Sequence, residues 1–132
     1  MRYMGLFQSL TGASVRDCIM RDDSILFVVD AGSAGRAIGK RGANVDKASK
    51  LLQRKVEVVE YADSLESFVR CIFTPARIES INVTSDAEGH VKVQVHPHKD
   101  DQGLAIGKNG RNIEKARILL RRYHNVGTVE VR

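Results

Sequence analysis

The stretch Ala37-Ile38-Gly39-Lys40-Arg41-Gly42-Ala43-Asn44-Val45-Asp46-Lys47-Ala48 returns 68 residues later as Ala105-Ile106-Gly107-Lys108-Asn109-Gly110-Arg111-Asn112-Ile113-Glu114-Lys115-Ala116. Eight of the twelve positions are identical, and Val45/Ile113 and Asp46/Glu114 are conservative exchanges. Leu51, Leu52 and Arg54 recur at the same offset as Leu119, Leu120 and Arg122. A constant offset marks two copies of one structural unit. The expected units are residues 1–62 and 63–132. Units this small bury a modest share of their surface alone, so the two are expected to pack rigidly together.

Charge follows the repeat. Residues 39–55 carry six basic side chains and one acidic, and residues 107–122 carry the same. The two stretches therefore sum to +10, and because the whole chain is +5 the remainder is −5. Positive charge gathered on a repeated motif, over an acidic body, is the footprint of a polyanion site. Lys47, Lys50 and Arg54 in the first copy, with Lys115, Arg117, Arg121 and Arg122 in the second, suggest a basic strip running along the helix faces.

Other classes recede. No apolar run approaches the roughly 20 residues of a membrane span, and the N-terminus lacks a secretory signal, so a cytoplasmic monomer is expected. Cys18 and Cys71 are too few and too unevenly placed for a disulfide framework, which favours reduced packing cysteines and leaves a single bridge as the alternative. His96-Pro97-His98, with Asp100 and Asp101 nearby, has no companion Cys or His to complete a metal set and reads as a solvated turn. No nucleophile, base and orienter stand together, so no catalytic residue, metal or cofactor is expected.

Periodicity places the motif. Tyr3, Leu6, Phe7 and Leu10 predict a helix over 2–10, and strands follow at 15–20 and 24–29. A short weak helix precedes the loop 39–42. Val45, Ala48 and Leu52, with Leu51 alongside, then predict an amphipathic helix to about Gln53, and residues 56–61 form a strand. In the second unit Ser64 caps a helix that Pro75 stops. Strands are expected at 77–84, with Ile78, Ile81 and Val83 inward, and at 91–95. A short helix at 100–105, a loop at 107–110, a helix at 111–123 and a closing strand at 128–132 complete the copy. Each unit is then α+β: a three-stranded sheet with helices on one face, its last strand joining after the helix pair crosses over.

Glycines at both ends of a two-residue loop let a ligand's backbone come close, and the N–H groups opening the next helix face that approach. A phosphate chain is the natural guest, with Lys40, Arg41 and Lys108 adding charge and Asn109 a neutral hydrogen-bonding group. A Walker loop is excluded, since Ala34 and Gln102 stand where it needs glycine, and Arg41 and Asn109 where it needs Ser or Thr. The dinucleotide fingerprint fails at Ala37 and Ala105.

What survives is Ile-Gly-x-x-Gly-x-x-[Ile/Val], at residues 38–45 and 106–113. It resembles the KH family of single-stranded RNA-binding domains, whose GXXG loop clamps the backbone of about four nucleotides. The element order is similar to the type II KH arrangement, so the resemblance implies two tandem type II KH domains. More narrowly, Leu6-Phe7-Gln8-Ser9-Leu10-Thr11-Gly12, Leu26-Phe27-Val28-Val29 and Val56-Glu57-Val58-Val59-Glu60-Tyr61 resemble the archaeal NusA-like transcription factors.

That resemblance implies a role in transcription termination or antitermination, with nascent single-stranded RNA as partner and RNA polymerase as a second. Carried onto these positions, Gly39, Lys40, Arg41, Gly42, Gly107, Lys108, Asn109, Gly110 and Arg111 would grip the sugar-phosphate backbone, with Lys47 and Lys115 beside them. Ile38, Val45, Ile106 and Ile113 would border an apolar groove under the bases. For Val45 and Ile113 a place in the core is an equal reading. One extended RNA strand is expected to engage both loops. A KH-type module docking on polymerase or ribosome, and a single-stranded DNA binder, are the alternatives.

Overall fold

A computed structural model describes residues 2–132. The chain divides into two compact units, Met1–Asp63 and Ser64–Arg132. In the first, α1 (Arg2–Thr11) precedes the antiparallel strands β1 (Val15–Met20) and β2 (Ser24–Val29), then α2 (Ala34–Ile38), α3 (Ala43–Leu52) and β3 (Lys55–Glu60). The second repeats the order with α4 (Leu65–Phe73), β4 (Ile78–Ser85), β5 (Val91–Pro97), α5 (Gln102–Ile106), α6 (Arg111–His124) and β6 (Thr128–Val131).

Each unit carries one three-stranded sheet, in the orders β1-β2-β3 and β4-β5-β6. β3 lies parallel to β2, with Ile25 beside Val56 and Val28 beside Val59, and β6 lies parallel to β5, with Val93 beside Val129. A parallel neighbour requires a crossover, and the two helices around the glycine loop are that crossover. The loop is therefore held between helices that span from the central strand to the last one.

Burial explains why these segments are elements. Ile25, Phe27 and Val29 alternate along β2 and meet Phe7 of α1, Ala37 of α2 and Ala48 of α3 in one core. The rings of Phe7 and Phe27 stack with centroids 4.1 Å apart. The opposite face of this sheet is also apolar and buried, through Leu26, Val28 and Val59, which is why β2 reads as an unbroken apolar run. The corresponding face of the second sheet carries Lys92, Gln94 and Glu130, with Lys92 Nζ 3.1 Å from the Glu130 carboxylate. In α4, Phe68, Val69, Ile72 and Phe73 are buried, and the Ser64 hydroxyl caps the helix by accepting from the Ser67 N–H at 3.1 Å.

Two expectations on burial are corrected. Val83 points outward enough to be 48% exposed, because β4 is an edge strand with a neighbour on one side only. Leu51, placed in the apolar stripe of α3, is 60% exposed, whereas its repeat partner Leu119 is fully buried. α3 ends at Leu52, so Leu51 sits in the last turn. α6 continues to His124, and Leu119 lies in mid-helix, one turn before Tyr123, whose ring meets Phe68 of α4 edge-on at 5.7 Å.

Candidate nucleic-acid interface

The two glycine loops have one backbone conformation. Gly39 (φ 77°, ψ 172°) and Gly107 (φ 80°, ψ 163°) end the short helices in a region open essentially to glycine alone. Lys40 and Lys108 open a single 3-10 turn, so what the repeat predicts as loop is a tight turn closed by hydrogen bonds. The Gly42 N–H donates to the Gly39 carbonyl at 3.1 Å, and the Gly110 N–H to the Gly107 carbonyl at 3.1 Å. Gly42 (φ 76°) and Gly110 (φ 75°) are left-handed N-caps of α3 and α6.

Between the glycines, Arg41 (φ 56°) and Asn109 (φ 58°) are left-handed as well. Holding an L side chain in that region costs about 1–2 kcal/mol per residue, less for Asn. Lys40, Arg41, Lys108 and Asn109 are all exposed, and among the described residues no partner holds Lys40, Arg41 or Lys108. The first tip thus presents two unpaired cationic groups and the second a single one, Lys108, beside the positive end of a ten- or fourteen-residue helix. Chemically, such a tip can receive an anion and neutralise it with lysine.

The remaining predicted residues divide. Ile38 ends α2 and is 40% exposed, and Ile106 ends α5 half-buried. Val45 is half-buried and packs against the core of the first unit. Ile113 is half-buried. Lys47 is exposed in the first turns of α3, and Arg111 opens α6 partly covered.

The basic strip is less regular than its sequence. Lys115 is 9% exposed, while the equivalent Lys47 is exposed. Arg54 lies beyond the end of α3 and turns inward: its guanidinium donates to the carbonyls of Arg21 at 2.5 Å and Asp22 at 3.2 Å. It therefore staples the β1–β2 turn to the helix end. Arg117 is paired with Glu114 at 2.5 Å, one helical turn away. Lys50, Arg117, Arg121 and Arg122 stay exposed.

One feature of the loops escapes composition and periodicity. Asn44 Nδ2 donates to the Arg36 carbonyl at 2.6 Å, and Asn112 Nδ2 to the Leu104 carbonyl at 2.8 Å. The signal was present in the repeat, since Asn44 and Asn112 are among its identical positions.

The histidine segment is accounted for by local bonds. His98 Nδ1 accepts from the Asp100 N–H at 3.1 Å, and His96 Nε2 lies 3.2 Å from Asn82 Nδ2. Asp101 receives the Arg77 guanidinium at 2.9 Å and its backbone N–H at 2.7 Å, and these two bonds hold the Asp101 carboxyl down at about 2. Among the described residues no group of three or more His, Cys, Asp or Glu could hold a metal ion, and no helix is long and apolar enough to cross a membrane.

Comparison with known proteins covers the same ground. The KH domain family matches residues 1–96, and the NusA-like second KH domain matches residues 65–130. A probable transcription termination protein NusA of Halococcus morrhuae is 34% identical over 99% of this chain and 93% of its own length. The protein of the same description from Methanococcus vannielii is 36% identical over 97% of this chain and 73% of its own. A crystal structure titled APE1850 superposes with a TM-score of 0.86 at 38% identity, covering 99% of this chain and 96% of that one.

Proposed function

The chain belongs to the archaeal NusA-like family of tandem KH-domain proteins, and from that premise we propose that it grips nascent single-stranded RNA through both glycine loops. The process it serves is transcription termination or antitermination, with RNA polymerase as its second partner. Its action is binding rather than catalysis.

One observation carries this reading. Two loops, 68 residues apart in sequence, hold the same unusual backbone angles and expose unheld cations, Lys40 and Arg41 in the first and Lys108 in the second. Left-handed Arg41 and Asn109 are costly to the fold, and such strain gathers where a ligand is engaged. The sugar-phosphate backbone would lie on residues 39–42 and 107–110, with Arg111 beside the second loop and Lys47 beside the first. Ile38 and Ile106, at the helix ends behind the glycines, would meet the bases. Lys115, a buried residue, would contribute through its position on α6 rather than as an open surface cation.

The test is fluorescence anisotropy of short single-stranded RNAs, titrated at several salt concentrations against the wild type, Lys40→Asp/Arg41→Asp and Lys108→Asp/Asn109→Asp. Circular dichroism confirms that each variant is folded. We expect a steep salt dependence in wild type and an affinity loss of about tenfold or more in each variant. Unchanged binding in folded variants would remove the loops from the mechanism. Equal affinity for DNA of the same sequence would make the protein a general single-strand binder, because the 2′-hydroxyl is what separates the two.

A further inference from the structure

The repeated asparagine has a geometry that the charged residues do not share. Asn44 is the second residue of α3 and Asn112 the second of α6. Each reaches back across eight residues to a carbonyl in the last turn of the preceding short helix, Arg36 or Leu104. In a continuing helix that carbonyl would accept from the residue four positions on, but the chain has already turned at Gly39 or Gly107. The side-chain amide takes the vacated place.

The same side chain explains the first glycine. A Cβ at Gly39 would stand 2.8 Å from Asn44 Cγ and 2.8 Å from the Asn44 backbone nitrogen. At Gly107 the distances to Asn112 are 3.0 Å and 2.8 Å. By contrast, a Cβ at Gly42 or Gly110 would meet nothing within 4 Å. The asparagine and the first glycine are thus one device: the glycine gives up its side chain so that the amide can bridge the two helices. The bridge brackets Lys40, Arg41 and Gly42 in one copy and Lys108, Asn109 and Gly110 in the other.

We propose that Asn44 and Asn112 are positioning residues for RNA binding, each fastening one helix end to the next so that the turn between them is preorganised for the sugar-phosphate backbone. The proposal rests on the loops being the RNA site. The amide nitrogen is held on a protein carbonyl, and the proposed effect on RNA passes through the loop. A loop left free to fluctuate pays an ordering cost on binding, and a fixed one does not.

The test uses the full chain with Asn44→Leu and Asn112→Leu, which keep the branched shape and remove the donor, and with the smaller Asn44→Ala and Asn112→Ala should leucine disturb the fold. Amide resonances of residues 40–43 and 108–111 are followed without RNA, and affinity for a short single-stranded RNA is then measured across a salt series. We expect the loop resonances to shift or broaden while those of the sheets stay in place. Affinity should fall by about tenfold for each loop, the scale of one lost hydrogen bond. The salt slope should remain that of wild type, whereas Lys40→Ala should flatten it.

Unmoved loop resonances would overturn the clamp. Moved resonances with affinity kept within about twofold would overturn its role in RNA binding. A wild type that binds no RNA would instead sink the RNA reading itself, a failure visible before any variant is made.

Discussion

The two glycines of each loop do different work. Gly39 combines a backbone open essentially to glycine with a space already filled by Asn44, while Gly42 is left-handed in open surroundings. Gly39→Ala therefore meets both backbone strain and a steric clash and should cost about 3 kcal/mol or more. Gly42→Ala meets strain alone and should cost about 1–2 kcal/mol. Urea melts of the two variants check the order. Equal costs would mean that Asn44 can move aside freely. The left-handed Arg41 and Asn109 show the converse choice, since glycine would suit their backbone and an exposed polar side chain stands there instead.

Between the copies, elements of equal pattern have unequal surroundings. Leu51 and Leu119 share a repeat position, yet one ends a ten-residue helix in solvent and the other is covered in the middle of a fourteen-residue one. Leu51→Ala should change stability by under about 0.5 kcal/mol, as surface substitutions do. Leu119→Ala should cost about 2–5 kcal/mol through lost burial and the cavity left behind. Thermal melts of both variants decide this, and similar losses would place Leu51 in a packed site. The same inequality separates exposed Lys47 from buried Lys115, and inward Arg54 from exposed Arg122. The second unit is therefore not a repeat of the first in its surface, although it is one in its fold.

For the chain as a whole, the proposed function would have two loops on one polypeptide raise affinity for RNA through effective concentration when the strand is long enough to reach both. With an RNA of about four nucleotides, the footprint of one loop, each single-loop variant should retain binding at the intact loop. With a longer strand, either variant alone should lose most of the gained affinity, and the double variant little more. Anisotropy over a length series reads this directly. A loss that simply adds at every length would mean that the loops act on separate strands.

By itself the sequence determined the unit, its count and its loop. The 68-residue repeat, the glycine spacing and the apolar periodicity are local properties of the chain, and they led to two α+β units with matching strand order and to a family resemblance that the comparisons support. Only the tertiary structure decided which basic residues face solvent, that Val45 packs against the core, and that Asn44 and Asn112 close the loop onto the preceding helix. Periodicity names the face of a helix a residue occupies. Whether that face is covered, and by what, depends on where the helix ends and which element lies across it, and that is settled only once the whole unit has packed.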